Sequence, residues 1–202
     1  MKKIIISGFD PFDKLKINPS MEVVRSLNPE EFKDCQIYPL VLPTVYGESA
    51  EILISKIMEV EPDLVLSLGV AIKGKKISLE RFAINIDDCR TKDNRKEKRR
   101  GVPIVPQGRE AYMSLLPLEI LLKELHRYKI KACISNFCGT FVCNHLMYTL
   151  LHYTVTHDLP FKYGFVHLPG LDTMRRCKKS GMSMEKMLQA LKIIVNTSLG
   201  IL

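Results

Sequence analysis

The chain has 202 residues, of which 46% are apolar and 26% charged, with a formal net charge of +8, six cysteines and no tryptophan. Single hydrophobic cores grow to roughly 250 residues before chains divide, so we predict one domain over residues 1–202. The composition is that of a globular protein and excludes the disordered, collagen-like and coiled-coil classes.

No apolar run approaches the ~20 residues that cross a bilayer, so we expect no membrane association. The first residues, MKKIIISGFDPF, contain too short an apolar stretch for a signal peptide. The predicted location is therefore cytoplasmic.

The positive charge is concentrated in one segment, residues 90–100, which holds seven Lys and Arg beside Asp93 and Glu97. A single basic segment is typical of a solvated hairpin tip. Because no helix-turn-helix or aromatic-rich pattern accompanies it, nucleic acid is not an expected partner.

Short apolar runs alternate with helix-period segments from the N-terminus onward. The runs predict strands at 3–8, 36–42, 63–69, 77–87, 131–135 and 162–168. The helical periods predict helices at 19–27, 47–60, 111–128, 142–156 and 183–199. Such alternation predicts an α/β fold, an α/β/α sandwich with a mostly parallel twisted central sheet. Sites in these sheets gather at the carboxyl ends of strands, here after Ile6, Leu68, Ile134 and Val166.

Residues 69–76, GVAIKGKK, match part of the phosphate-binding P-loop pattern. The last position is Lys76 where a magnesium-binding hydroxyl is needed, and a strand follows where the pattern needs a helix. We therefore predict no nucleotide site.

The cysteines of a cytoplasmic chain are expected to be free thiols. Cys133, Cys138 and Cys143 lie close together with His145, but the second ligand pair of a zinc site is missing, so no metal is predicted. Cys143 falls near the first turn of the predicted helix 142–156, where the helix dipole favours a nucleophilic thiolate. The alternative is that Cys143 is only a small buried residue.

A nucleophilic thiol needs a base and a group that orients the base. His167 ends a predicted strand, and Glu80 lies in an apolar context, so Cys143, His167 and Glu80 together suit acyl-transfer chemistry. Glu80 could instead be a surface charge of an edge strand. Phe9 and Phe12 flank a turn after the first strand, where they either sandwich a flat ligand or close the core.

Five ordered motifs resemble the type I pyroglutamyl peptidases, a family of cysteine peptidases. They are GFDPF with INPS, ERFAIN with DDCR and DN, AYMSLLPL, SN with GTFVCNHLMY, and GFVHLP, and they run from residue 8 to residue 169. The resemblance implies an α/β/α sandwich that removes N-terminal pyroglutamyl residues from peptides, without metal or cofactor, as a homodimer or homotetramer.

The same resemblance implies roles for individual residues. It assigns the catalytic triad to Glu80, Cys143 and His167. It surrounds the pyroglutamyl ring with Phe9, Phe12, Phe141 and Val142, and it places Arg90 next to the nucleophile.

Departures from the family pattern lie near the pocket. Val70 stands where the family commonly has Gln, and Phe137 and Cys138 replace a small pair. A lost polar partner for the lactam costs about 1–3 kcal/mol if its counterpart stays buried and unpaired. Two alternatives therefore stay open, a same-fold enzyme for another N-blocked peptide or cyclic amide and a non-catalytic binding homologue.

Overall fold

The computed structural model describes residues 1–174 and 181–201. In this part of the chain the strands are β1 (Lys2–Phe9), β2 (Cys35–Leu42), β3 (Leu64–Ala71), β4 (Ile77–Glu80), β5 (Phe82–Ile84), β6 (Ala111–Met113), β7 (Ala132–Ser135) and β8 (Lys162–Pro169). The α-helices are α1 (Pro19–Arg25), α2 (Glu48–Val60), α3 (Leu118–Arg127), α4 (Val142–Thr156) and α5 (Met184–Leu199). A short 3₁₀ turn covers Pro29–Glu31.

Six strands form the central sheet in the order β2-β1-β3-β8-β4-β7. Neighbouring strands are parallel except β4 and β8, which pair antiparallel through Ser78 and His167. The strands β4 and β7 therefore run opposite to the other four. The expected fold class, a mostly parallel sheet within an α/β/α sandwich, is confirmed.

Helices cover both faces of this sheet because its strands alternate apolar residues to each side. One face packs Ile4, Leu66 and Val166 against α1, α3 and α5. The other packs Ile5, Val65 and Phe165 against α2 and α4. His167 follows Phe165 by two residues, so it points to the face covered by α2 and α4.

Two predicted elements are wrong in their extent. The predicted strand 77–87 breaks at Arg81, where the chain leaves the central sheet as β5 and pairs antiparallel with β6. The predicted helix 111–128 begins only at Leu118, since Ala111–Met113 is β6 and Pro117 stands at the N-cap of α3. A proline lacks the N–H that a helix interior needs, so Pro117 stands at the start of this helix.

The basic segment 90–100 folds back as a hairpin, as the sequence predicts. Asp87 and Val102 exchange two backbone hydrogen bonds, and Cys89 N–H donates to the Arg99 carbonyl. The buried carboxylate of Asp93 closes the turn by accepting from the N–H groups of Arg95 and Glu97.

Five cysteines in the described residues are free thiols, namely Cys35, Cys89, Cys133, Cys138 and Cys143. The sixth, Cys177, lies outside the described residues. Among the helices described here, none has the length and apolar character to cross a membrane.

Candidate active site

His167 lies in the central strand β8, flanked by β3 on one side and β4 on the other. Its Nδ1 lies 2.9 Å from Oε1 of Glu80, the last residue of β4. The antiparallel register sets Glu80 diagonally across from His167 on the same face of the sheet. Both side chains are buried, so the carboxylate fixes the orientation of the imidazole.

Gly69 of β3 makes room for this imidazole. A Cβ at this position would lie 2.8 Å from the ring of Phe165 and 2.9 Å from Cδ2 of His167. These approaches are shorter than carbon atoms tolerate, and both rings are held within a packed face. The missing side chain of Gly69 is therefore part of how His167 is positioned, a contribution that no sequence pattern indicates.

Cys143 reaches the imidazole from the second residue of α4. The chain turns into this helix at Gly139, whose φ of +85° suits glycine. Phe141 occupies the N-cap, and its side chain cannot accept a hydrogen bond, so the first N–H groups of α4 are available to an anionic ligand. Cys143 is partly exposed, and its thiol hydrogen-bonds to His167.

The imidazole of His167 holds its proton tightly. Burial acts to lower its pKa, but the negative charge and hydrogen bond of Cys143 and those of Glu80 outweigh it and raise the pKa to about 10. At neutral pH the ring therefore keeps its proton, and it lies between the sulfur of Cys143 and the carboxylate of Glu80. This state suits nucleophilic attack by sulfur.

Cys138 lies beside Glu80 and His167, although its position in the sequence predicts no role for it. Its sulfur, a carboxylate oxygen of Glu80 and a ring nitrogen of His167 all lie within 4.8 Å of one another. Burial raises the pKa of the Cys138 thiol well above its ordinary value, and the charges of Cys143 and Glu80 add to this rise. Cys138 is therefore a neutral thiol beside the charged pair.

The apolar residues expected around the substrate ring divide into two groups. Phe12 and Phe141 are half-buried, with their ring centroids 5.6 Å apart, near the start of α4. Phe9 and Val142 are buried in the core, and Phe9 packs on Phe165. This arrangement favours the core interpretation for Phe9 and offers Phe12 and Phe141 as the accessible rings.

Val70 and Arg90 are also expected at the pocket. Val70 is half-buried near the end of β3 and follows Gly69, the residue that pairs with His167. Arg90 is exposed and lines a surface depression with Asp13 and Asn94. Asn94 donates to the Asp10 side chain and to the Pro11 carbonyl, so this depression adjoins the loop that carries Phe12.

Comparison with known proteins agrees with this geometry. A family model described as pyroglutamyl peptidase matches residues 2–200. The chain belongs to the pyroglutamyl peptidase family. The resemblance seen in the sequence is thereby confirmed, and membership makes the chain a cysteine peptidase of the hydrolase class.

Three similar proteins of this family align with the chain over almost their whole length. The pyrrolidone-carboxylate peptidase of Brachyspira hyodysenteriae is 41% identical, with 98% of each chain covered. Pyrrolidone-carboxylate peptidase 2 of Caldanaerobacter subterraneus is 42% identical over 96% of this chain and 94% of its own. A mutant pyrrolidone carboxyl peptidase structure from Pyrococcus furiosus is 35% identical with a TM-score of 0.93, covering 98% of this chain and 99% of its own.

A buried polar network behind Phe141 connects this family member's basic hairpin to the site. His145 accepts the Gly47 N–H at Nε2, so its Nδ1 carries the proton and donates to Asp87 over 2.8 Å. Arg99 donates to the same carboxylate over 3.0 Å, and its guanidinium lies 4.6 Å from the ring centre of Tyr46. Tyr46 in turn packs edge-on against Phe141.

The sequence does not reveal this polar network, because its residues come together only through tertiary contacts. Its helical pattern favours a surface or packing role for His145, and the charges of the 90–100 segment suggest a solvated loop. The hydrophobic sequence around Asp87 (INID) resembles a strand with an acidic end, and no local spacing links it to His145.

Proposed function

We propose that the chain is a cysteine omega-peptidase that hydrolyses the bond after an N-terminal pyroglutamyl (5-oxoproline) residue. The observation that carries this proposal is the buried imidazole of His167, held between the Glu80 carboxylate and the Cys143 thiol. The names of the relatives indicate the substrate class.

In the proposed reaction, the Cys143 thiolate attacks the carbonyl carbon of the pyroglutamyl residue. The oxyanion that forms is held by backbone N–H groups in the first turn of α4, and one such donor contributes roughly 3 kcal/mol. His167 then gives its proton to the leaving amine, and the peptide departs. Water, activated by the now neutral His167, hydrolyses the thioester, and Glu80 keeps the ring oriented throughout.

The proposed pocket selects a neutral ring. A pyroglutamyl N-terminus has no α-ammonium group, so aromatic and aliphatic side chains suit it better than a carboxylate. Phe12 and Phe141 offer accessible ring surface beside the start of α4, with Val70 near His167. The expected roles of Phe9, Val142 and Arg90 stay predictions, with Phe9 and Val142 acting from the core beneath the accessible rings.

The thiolate and the imidazolium supply every step of this reaction, so we propose that it requires neither metal nor organic cofactor.

We further propose a cytoplasmic protein that forms a homodimer or homotetramer from one domain over 1–202. Exposed apolar side chains such as Met58, Ile120 and Val155 are available for contacts between subunits. Light scattering on the purified chain gives the number of subunits directly.

The experiment is the release of coumarin from a pyroglutamyl-coumarin amide by the wild type and by Cys143→Ser. We expect Cys143→Ser to lose activity about a thousandfold or more, because serine is not ionised by His167. Cys133→Ser is the matched control, since Cys133 is also a half-buried thiol, and it should keep wild-type activity. Equal activity of the wild type and Cys143→Ser contradicts the assignment of the nucleophile.

Val70 stands where the family commonly has Gln, so the preference of the site for a pyroglutamyl ring is tested separately. The hydrolysis of prolyl, acetyl and formyl amides is measured beside that of the pyroglutamyl amide. This panel compares cyclic N-termini with blocked ones. The proposal predicts the highest kcat/KM for the pyroglutamyl amide. A higher value for another blocked residue supports an altered substrate, and no turnover of any supports the binding homologue.

A further inference from the structure

Cys138 is a second buried thiol that the proposed reaction does not use. It lies in the turn before Gly139, is 6% exposed, and reaches Glu80 and His167 within 4.8 Å. A thiol, a carboxylate and an imidazole that converge in this way are three ligand types that proteins use for zinc.

The second observation concerns Glu80. Its Oε1 is engaged by His167, whereas its Oε2 is fully buried and has no hydrogen-bond partner among the described residues. A buried carboxylate oxygen without a partner is unfavourable and calls for an explanation. A cation held between this oxygen and the neighbouring thiol would satisfy it.

We propose that Glu80, Cys138 and His167 form a binding site for a soft divalent cation such as Zn²⁺, which blocks the peptidase when bound. Zinc takes four ligands in a tetrahedron at about 2.0–2.3 Å, so its ligand atoms lie about 3.3–3.8 Å apart. The three atoms lie within 4.8 Å, so movements of about 1 Å bring them to these distances. Cys143 is hydrogen-bonded to the same imidazole.

The ligand set favours zinc over the hard cations. Mg²⁺ and Ca²⁺ prefer oxygen ligands, whereas this site offers sulfur and nitrogen beside one carboxylate. A metal bound to a ring nitrogen of His167 takes the place of its proton, so the ring can no longer form the imidazolium that the proposed reaction needs. The blocking effect rests on the proposed function, but the binding of the metal does not.

The experiment is a titration of the reduced full chain with Zn²⁺ in competition with a chromophoric chelator. The variants are Cys138→Ala and Cys138→Ser, the second of which keeps the size of the side chain. Cys35→Ala is the matched control, since Cys35 is an equally buried thiol at the start of β2. We expect one Zn²⁺ per wild-type chain, an affinity at least tenfold lower in both Cys138 variants, and no change in Cys35→Ala.

Inhibition is measured on the same samples, relative to the metal-free activity of each variant, and should weaken by the same factor. Equal Zn²⁺ affinity in the wild type and in both folded Cys138 variants overturns the site, as does the absence of Zn²⁺ binding to the wild type. Zinc binding that depends on Cys138 in a chain that does not cleave pyroglutamyl amides overturns the proposed function and leaves the site standing. Cleavage of these amides by a chain that binds no zinc overturns the site and leaves the proposed function standing.

Discussion

The imidazole of His167 sets how the site responds to pH. Its folded pKa, raised to about 10 by Cys143 and Glu80 against the opposing effect of burial, lies above the value of 6.5 for an unperturbed histidine. The folded chain therefore binds this proton more tightly than the unfolded chain. The resulting stabilisation is complete below about pH 6.5 and is lost as the pH rises through about 10.

Glu80→Gln tests this dependence at the level of one residue. The change removes the negative charge beside His167, so the pKa of the imidazole should fall, and the alkaline limb of the kcat/KM profile should move from near pH 10 to lower pH. We also expect kcat to fall about a hundredfold or more, because a neutral amide no longer stabilises the positive charge of the ring.

Glu119→Gln is the control for charge alone, since Glu119 is exposed and pairs with Arg81 on the surface. It should leave the pH profile unchanged. An alkaline limb that stays in place in Glu80→Gln would show that Glu80 does not set the protonation of His167.

At the scale of elements, helix α4 is held in place by Asn144, the residue after Cys143. Asn144 is fully buried, donates to the carbonyls of Ile84 and Ile86, and accepts the Ile84 N–H at 3.0 Å. One side chain thus ties the first turn of α4 to β5. The position of Cys143 depends on this attachment.

Asn144→Ala should lower the free energy of unfolding by about 2–4 kcal/mol, because part-buried backbone groups of Ile84 and Ile86 lose three hydrogen bonds. Denaturant unfolding followed by circular dichroism measures the loss. Thr156→Ala at the exposed end of α4 is the control, since its hydroxyl bonds only locally, to carbonyls of the same helix and to the ring of the adjacent His157. It should change stability by less than about 0.5 kcal/mol. Equal stability of the two variants contradicts the proposed attachment.

The strands and helices that the sequence predicts correctly are those with a clear local pattern. The buried strand at Leu64–Ala71 and the closing helix at Met184–Leu199 follow from apolar runs and periodicity. The break at Arg81 has no such signal, because β5 is defined only by its pairing with β6 some thirty residues later. Strand direction is likewise a tertiary property, so the reversal of β4 and β7 could not be predicted.

That reversal changes where the site forms. The carboxyl ends of β4 and β7 point in the direction opposite to those of β1, β3 and β8. The carboxyl ends of the five strands therefore do not lie at the same end of the sheet. Glu80 and His167 meet instead on the sheet face under α4. The residues Glu80, Cys143 and His167 could be named from motifs, whereas Gly69, Cys138 and Asn144 could not, because their contributions are contacts made only in the fold.

At the scale of the whole molecule, three arginines of the basic hairpin pair with carboxylates of the fold. Arg99 pairs with Asp87 and Glu97, Arg100 with Asp88, and Arg95 with Glu48. The hairpin thus packs onto the body of the protein beside Tyr46 and Phe141. This arrangement supports a structural role for the segment beside the proposed pocket.

Arg99→Met should lower stability by about 1.5–3 kcal/mol, because Asp87 is fully buried and loses a charged hydrogen-bond partner. We also expect KM to increase more than kcat falls. Arg99 contacts Tyr46, and Tyr46 packs against Phe141 of the proposed substrate pocket, so the change should affect substrate binding first. Steady-state kinetics and thermal unfolding measure the two effects.

Arg100→Met is the matched control from the next position. Its ion pair with Asp88 is about half exposed, so its loss should cost less than about 1 kcal/mol and leave KM unchanged. A KM for Arg99→Met equal to that of the control would separate the hairpin from substrate binding.

The most direct test of the proposed reaction is to trap the acyl-enzyme. A pyroglutamyl p-nitrophenyl ester acylates quickly, so the covalent intermediate accumulates and can be quenched in acid and mapped by mass spectrometry. We predict a pyroglutamyl thioester on the peptide that carries Cys143. Its location on Cys138 or Cys133, or its absence while product forms at the wild-type rate, would contradict the assignment.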